Sequence, residues 1–296
     1  MTFYACIDIG GTMIKYGLVN QTGKLVHTAK RPTEAYLGGK GIIQKVMAIV
    51  DQYLADNDLA GIAISSAGMV DPEEGAIFYS GPQIPNYAGT QFKQILEEKY
   101  HISCEIENDV NCAGLAEVMS GSAEGSQITL CLTIGTGIGG CILLGEQIFH
   151  GFSNSACEVG YMHMDGQEFQ QLGATTELIR KVAERKGQAL EQWNGYQIFE
   201  LAKAGDAVCV QAIDEMVEIL ATGIANICYV INPQTVVLGG GVMEQETYLK
   251  NKLVKSLKEK LVPSLAEKTT LVFAKHQNDA GLLGAFYHFK ERQKIK

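Results

Sequence analysis

Three glycine-rich loops and one short acidic-amide run hold the candidate reactive residues of this chain. The first loop is DIGGTMIK, with Asp8, Gly10, Gly11, Thr12 and Lys15. Apolar stretches that read as strands flank it, so the glycines join strand to strand. Dinucleotide and Walker loops need a helix after the glycines and are excluded. Glycines in a tight hairpin let phosphate oxygens reach backbone N–H groups. Thr12 adds a hydroxyl, Lys15 can face the phosphates, and Asp8 can hold Mg²⁺ through water. A plain hairpin with a surface Asp and Lys explains the same residues, and this loop alone leaves the two readings even.

The second loop, TIGTGIGG, carries Thr133, Gly135, Thr136, Gly137 and Gly139, again between two apolar strands. Glycines in strands cost packing and chain entropy, so a phosphate-binding role is favoured here. The third, VLGGGV, places Gly240 and Gly241 after a buried strand, a flat backbone surface suited to adenine or ribose. Taken alone it reads as an ordinary strand-to-helix turn. The run ENDVN (107–111) stands where a strand enters a helix. Asp109 there can accept a hydroxyl proton as an alcohol attacks a γ-phosphate. It also suits a helix N-cap. Asn108 and Asn111 beside it tip the reading toward a polyol site.

The elements that must position these residues follow from periodicity. Strands are expected at 3–10, 13–20, 24–30, 59–66, 75–81, 103–109, in the hairpin 128–145, and at 235–241 and 269–275. Helices are expected at 41–56, 91–100, 110–121, 175–187, 196–205, 206–232, 245–261 and 280–292. Each half has a glycine hairpin, helices and a further strand ending in a loop. This predicts two α/β lobes, residues 1–112 with 281–296 (first phosphate loop, sugar side) and 113–280 (second phosphate loop, adenosine side). The junction near 110–125 reads as a hinge in continuous structure.

Composition narrows the function classes. A chain of 296 residues suits two lobes. Its net charge of −9 argues against nucleic acid or an anionic membrane as partner. Bound phosphate must then be held locally. The eight cysteines form no C-x-x-C pair, so a zinc site and a disulfide framework are not expected. No signal-peptide pattern or twenty-residue apolar run occurs, and the expected location is the cytoplasm.

The order strand–DxGGT–strand, strand–GTGxGG–strand, strand–GGG–helix resembles the actin/hexokinase (ribonuclease H-like) architecture, which implies a two-lobe fold with an interlobe cleft. With DIGGTxxK, ENDxN, TIGTGIGG and VLGGG in that order, the chain resembles ROK-family sugar kinases over nearly its whole length. The resemblance implies ATP and Mg²⁺, a hexose substrate, a homodimer, and Asp109 as the catalytic base. It further implies sugar contacts from Asn108, from Gly68 in the loop SSAGMVD (65–71, with Ala67 in place of the family's proline), from Asn86 in PNYAGT, and from Glu158.

Departures from the family pattern are informative. The E-x-G-H motif appears as EVGY, with Tyr161 replacing the zinc-ligating, sugar-contacting His. The cysteine cluster is absent, and GATT (173–176) puts Thr176 where a second sugar-contacting Glu is usual. His163 reads as a lone structural His. No zinc is therefore expected. The tyrosine form and the ending NDAGLLGAFYHF resemble the family's zinc-free β-glucoside kinases, which implies phosphorylation of O6 of a hexose or of a β-glucoside such as cellobiose. N-acetylmannosamine kinase or glucokinase is the alternative. A sugar-sensing regulator is the non-enzyme alternative, disfavoured because Asp8 lies too near the start for a preceding helix-turn-helix. A chaperone- or actin-like ATPase is disfavoured by the lack of a peptide-binding domain or large insertions.

Overall fold

The computed structural model describes residues 2–81 and 84–295. The chain opens with three strands, β1 (Thr2–Ile9), β2 (Met13–Asn20) and β3 (Leu25–Pro32), then helix α1 (Gly38–Leu54). Strand β4 (Asp58–Ser66), the hairpin β5 (Met69–Asp71) and β6 (Ala76–Tyr79), helix α2 (Phe92–Tyr100), strand β7 (Cys104–Asn108) and helix α3 (Asp109–Ser120) follow. A second run begins with β8 (Ile128–Ile134), β9 (Ile138–Leu144) and β10 (Gln147–Ile148), then the small hairpin β11 (His163–Met164) and β12 (Gln167–Glu168). Helices α4 (Phe169–Gly173), α5 (Thr175–Lys186), α6 (Gly195–Lys203) and α7 (Ala207–Ile231) lead to β13 (Thr235–Gly239), α8 (Glu246–Lys260), α9 (Pro263–Ala266), β14 (Thr270–Phe273) and α10 (Ala280–Arg292).

Two compact units result, one of Met1–Met119, His150–Ala156 and Asn278–Lys296, the other of Ser120–Phe149 and Cys157–Gln277. Each is built on a five-stranded sheet, in the orders β3-β2-β1-β4-β7 and β10-β9-β8-β13-β14. The pairing repeats. In both, the first strand runs antiparallel to the second, the second to the third, and the last two strands lie parallel to the first. Each glycine loop of the DxGGT and GTGxGG type is thus the turn of the first hairpin in its sheet.

The apolar runs explain why the sheet of the first unit is covered on both faces. Successive side chains of a strand point to opposite faces. In β1, Ala5, Ile7 and Ile9 join the core with Ile42, Val46 and Ile49 of α1. Tyr4 and Cys6 point the other way and pack with Leu282, Phe286 and Phe289 of α10. In the second unit Leu130, Leu132 and Ile134 of β8 and Val236 and Leu238 of β13 share a core with α5 to α8.

The units divide at other positions than the sequence predicts. A break after residue 112 falls inside α3, whose Cys112 and Ala116 pack on α10. A hydrogen-bonded helix stays with the core it packs on, and the boundary moves to 119/120. Residues 150–156 also belong to the first unit. Their anchor is His150, whose Nε2 lies 2.6 Å from Oε2 of Glu107, a carboxylate with 0% side-chain exposure at the end of β7.

Burial works against the Glu107 charge, but the His150 hydrogen bond, the His288 and His150 charges and the Asn111 bond together lower the pKa. The bond to Glu107 raises the pKa of His150 above its usual value. Around the pair lie His288, Glu291 and Arg292 of α10. Burial pushes the His288 pKa down. A raised histidine pKa contributes stability that is present below the unfolded value and is lost as pH rises through the folded one. We expect His150→Gln, which keeps a donor and loses the charge, to cost about 1–3 kcal/mol. The deficit should be largest near about pH 6 and shrink toward about pH 9. Thermal melts of both proteins across that range check this, and a deficit that grows with pH contradicts it.

Candidate active site

In the first unit, Asp8 is the next-to-last residue of β1, opposite Lys15 of β2 and beside Ser65 of β4. Ser65 Oγ donates to Asp8 Oδ1 at 2.7 Å, and Lys15 Nζ lies 3.8 Å from Oδ2. A Cβ on Gly281 would fall 2.5 Å from the Asp8 carboxyl carbon. Only glycine therefore lets the first turn of α10 come this close to the carboxylate. Burial pushes the Asp8 pKa up, and the Ser65 bond and the Lys15 charge work against that shift. Lys15 also donates to the carbonyl and side chain of Asn278.

The turn between β1 and β2 closes with Gly10 N–H donating to Met13 O at 3.0 Å. It is held from one side by Thr33, a fully buried residue just past β3. Thr33 Oγ1 donates to Gly10 O at 2.6 Å, and Thr33 N–H donates to Thr12 O at 2.9 Å.

In the ENDVN run two side chains share the first N–H groups of the helix. Helix α3 starts at Asp109, whose Oδ1 accepts from Val110 N–H at 2.9 Å, and the residue before it takes the other capping bonds. Asn108 Oδ1 accepts from the N–H groups of Val110 at 2.9 Å and Asn111 at 3.1 Å. Asn108 Nδ2 donates to Gly68 O at 2.9 Å and to Asp109 Oδ1 at 3.1 Å. An amide has two donor hydrogens and two acceptor lone pairs, so these four bonds fill the Asn108 side chain. Asn108, implied by resemblance to be a sugar ligand, is here the brace of the turn that presents Asp109. Gly68 enters the same brace through its carbonyl. Glu107 completes it, accepting from Asn108 N–H at 2.6 Å and from Asn111 Nδ2 at 2.9 Å.

Asn86 lies on the surface with a left-handed φ of 53°, and its carbonyl accepts from Gly39 N–H. The adjoining Tyr87 is buried, its hydroxyl 2.7 Å from Oγ of Ser66, which leads into the loop that carries Gly68.

In the second unit, Thr133 and Gly139 face each other across the β8–β9 hairpin. Its turn closes with Gly135 N–H donating to Gly137 O at 2.9 Å. The start of α5 braces it: Thr175 N–H donates to Gly135 O and Thr176 Oγ1 to Thr136 O, both at 2.9 Å. The Thr176 hydroxyl therefore serves the glycine loop, a role distinct from the sugar-side position that the family pattern gives it. After β13, Gly240 takes φ 97°, and a Cβ there would lie 2.2 Å from Ile134 O, so it packs the third glycine turn flat on the end of β8.

A cavity of about 580 Å³ opens beside these turns. Gly135, Thr136 and Gly241, all singled out in the sequence, line it together with Asn194, Tyr196 and Gln245. The N-terminus of α5 also borders it with no side-chain cap of its own. Exposed N–H groups at a helix start favour an anion. The α6 side of this cavity was not singled out from the sequence. Its signal was present: Asn194 and Gln197 form a reciprocal capping box, readable from their spacing and pinning Tyr196 in the first turn.

Glu158 and Tyr161 bound the short 3₁₀ turn Val159–Tyr161 of the second unit. Burial raises the Glu158 pKa, and Tyr161 is 47% exposed. His163, read as a lone structural His, is exposed on β11 opposite Glu168. No helix among the described residues is long and apolar enough to cross a membrane.

The ROK family profile matches residues 4–292. A β-glucoside kinase from Listeria monocytogenes is 35% identical over 98% of this chain and 98% of its own. A ROK family protein from Streptococcus pneumoniae, solved with sucrose, is 29% identical with a TM-score of 0.87, covering 99% of this chain and 100% of that one. A ROK family glucokinase from Streptomyces griseus, solved with glucose and AMPPNP, is 25% identical with a TM-score of 0.84 over 96% and 97% of the two chains. Two sheets of one topology, each opening on a glycine hairpin, and a profile match across nearly the whole chain lead to one conclusion: this protein belongs to the ROK family and has the actin/hexokinase-like fold.

Proposed function

We propose that this protein is an ATP- and Mg²⁺-dependent kinase that phosphorylates O6 of a hexose or hexoside, with a β-glucoside such as cellobiose as its preferred acceptor. The observation that carries the kinase reading is the position of Asp109. It is the first residue of α3, beside the main capping residue Asn108. Its Oδ1 accepts from Val110 N–H and Asn108 Nδ2, so the turn fixes the carboxylate in place.

In the proposed reaction the acceptor O6 attacks the γ-phosphorus, its proton passes to Asp109, and the bond from the γ-phosphorus to the ADP oxygen breaks. The cavity lined by Gly135, Thr136, Tyr196 and Gly241 receives the adenosine and the adjoining phosphates. By the family resemblance, Gly10, Gly11, Thr12, Lys15, Thr133, Gly137, Gly139 and Gly240 are assigned to the nucleotide. Asp8 suits an outer-sphere magnesium ligand. It is a single carboxylate fixed by Ser65, which matches an ion that keeps most of its waters. Bound Mg²⁺ would neutralise phosphate charge. Asn86, Glu158 and Tyr161 are assigned to the acceptor, while Asn108 and Gly68 hold Asp109 in place. We place the reaction in the cytoplasm, in keeping with eight free thiols, and expect a homodimer.

Two features support a substituted C1. The Listeria relative bears the name β-glucoside kinase. Tyr161 replaces an imidazole with an exposed ring that can stack on a second sugar. We expect cellobiose and methyl β-glucoside to exceed glucose and N-acetylmannosamine in kcat/KM by about ten-fold or more, a difference of about 1.4 kcal/mol. ADP-release assays across these acceptors test it. If every C1-substituted sugar is inert while free glucose turns over, the acceptor is a monosaccharide. We further expect elemental analysis after dialysis to find no stoichiometric zinc, since Tyr161 and Thr176 supply no metal ligand of the usual kind. Retained zinc at one per chain contradicts that.

A further inference from the structure

Both glycine hairpins are braced in the same way. One threonine N–H and one threonine hydroxyl each bind a loop carbonyl. In the first unit both groups come from Thr33, on Thr12 O at 2.9 Å and Gly10 O at 2.6 Å. In the second unit they come from consecutive residues, Thr175 N–H on Gly135 O and Thr176 Oγ1 on Thr136 O, each at 2.9 Å. The braces arise from unrelated elements, a strand end and a helix start. The recurrence is therefore not a by-product of one local fold.

A planar trans peptide fixes what this does. The C=O of one residue and the N–H of the next point in opposite directions. The described residues contain no cis peptide bond. Drawing Gly10 O toward Thr33 therefore aims the N–H of Gly11 away from Thr33. Drawing Gly135 O and Thr136 O toward the start of α5 aims the N–H groups of Thr136 and Gly137 the other way. A glycine-rich turn has little conformational preference of its own, so without a brace each of these peptide planes could flip and present a carbonyl to an anion. A flipped plane replaces attraction with repulsion at the point where phosphate charge must be held.

We propose that Thr33 is a positioning residue and that Thr176, exposed on the wall of the cavity, is a second brace, each locking its own hairpin with the loop N–H groups presented to phosphate. This deepens the kinase reading and rests on it. Thr33 is completely buried, so it acts through the loop and never touches the nucleotide. Its valine variant keeps the shape and loses the bond to Gly10 O.

The test compares Thr33→Val, Thr33→Ser, Thr176→Val and Thr176→Ser with the wild type, using KM for ATP, KM for the best acceptor and kcat, with thermal melts as the check on folding. Each valine variant should raise KM for ATP about three- to ten-fold, the effect of one hydrogen bond, and leave KM for the sugar within about two-fold. Each serine variant should restore KM for ATP. Valine variants with wild-type KM for ATP, or with both KM values raised together, overturn the proposal. Serine variants that behave as valine does also overturn it, because the hydroxyl would then not be the active group. A wild type with no sugar-dependent ATP turnover refutes the kinase reading itself, a separate result. ATP-induced quenching of Trp193 fluorescence or calorimetric ATP binding without sugar then reads the same variants directly.

Discussion

The capping bonds of Asn108 are the interaction on which the acidic side of the site depends. A helix start leaves N–H groups without partners, and a short polar side chain just before the first turn usually satisfies them. Asn108 does so with its carbonyl oxygen and uses its amide hydrogens to grip Gly68 O and Asp109 Oδ1. One uncharged side chain thereby fixes the end of β7, the loop after β4 and the rotamer of the residue that follows. Glu107 stiffens the same turn with a buried carboxylate, and His150 Nε2 hydrogen-bonds to it. An unpaired carboxylate at that depth would be costly, so this bond helps hold the segment carrying His150 to the first unit.

The glycine turns obey a related constraint. They must present N–H groups, and they have no side chains with which to enforce that. Enforcement comes from outside the turn, through threonines on carbonyl oxygens, and from close contacts that only glycine permits. Gly281 lets α10 approach Asp8, and Gly240 lets the third turn lie against the end of β8. The repetition of one strand order in both units gives each hairpin the same place in its sheet.

Much of this was legible in the sequence because it rests on local rules. The strands and helices expected from periodicity appear within a few residues, as at 13–20 and 280–292, where β2 and α10 have those limits. The glycine turns of the first two loops fall between strands, as expected. The elements missed were short: β5, β11, β12, α4 and α9 are each five residues or fewer, too brief to show a period. The roles missed were relational. Nothing in KRPT marks Thr33 as the brace of a loop more than twenty residues earlier, and nothing in GATT marks the Thr176 hydroxyl as a donor to Thr136 O. Asp109 and Asn108 could not be told apart as cap and successor, since either residue type caps well. A helix start is uncertain by about a residue from sequence alone, and here that residue sets which side chain takes most of the capping bonds.

In the proposed reaction Asp109, held by Asn108 Nδ2 and Val110 N–H, takes the proton of the attacking hydroxyl. Asp109→Asn preserves the size of the side chain and an oxygen able to accept the bonds that Oδ1 accepts now, while removing the base. The most direct measurement is single-turnover phosphoryl transfer in that variant at saturating ATP and acceptor, with calorimetric ATP binding alongside. We expect normal ATP affinity, an unchanged melting temperature within a few degrees, and transfer slowed by about a hundred-fold or more. Transfer at a near wild-type rate in a variant that binds ATP normally would contradict this role of Asp109.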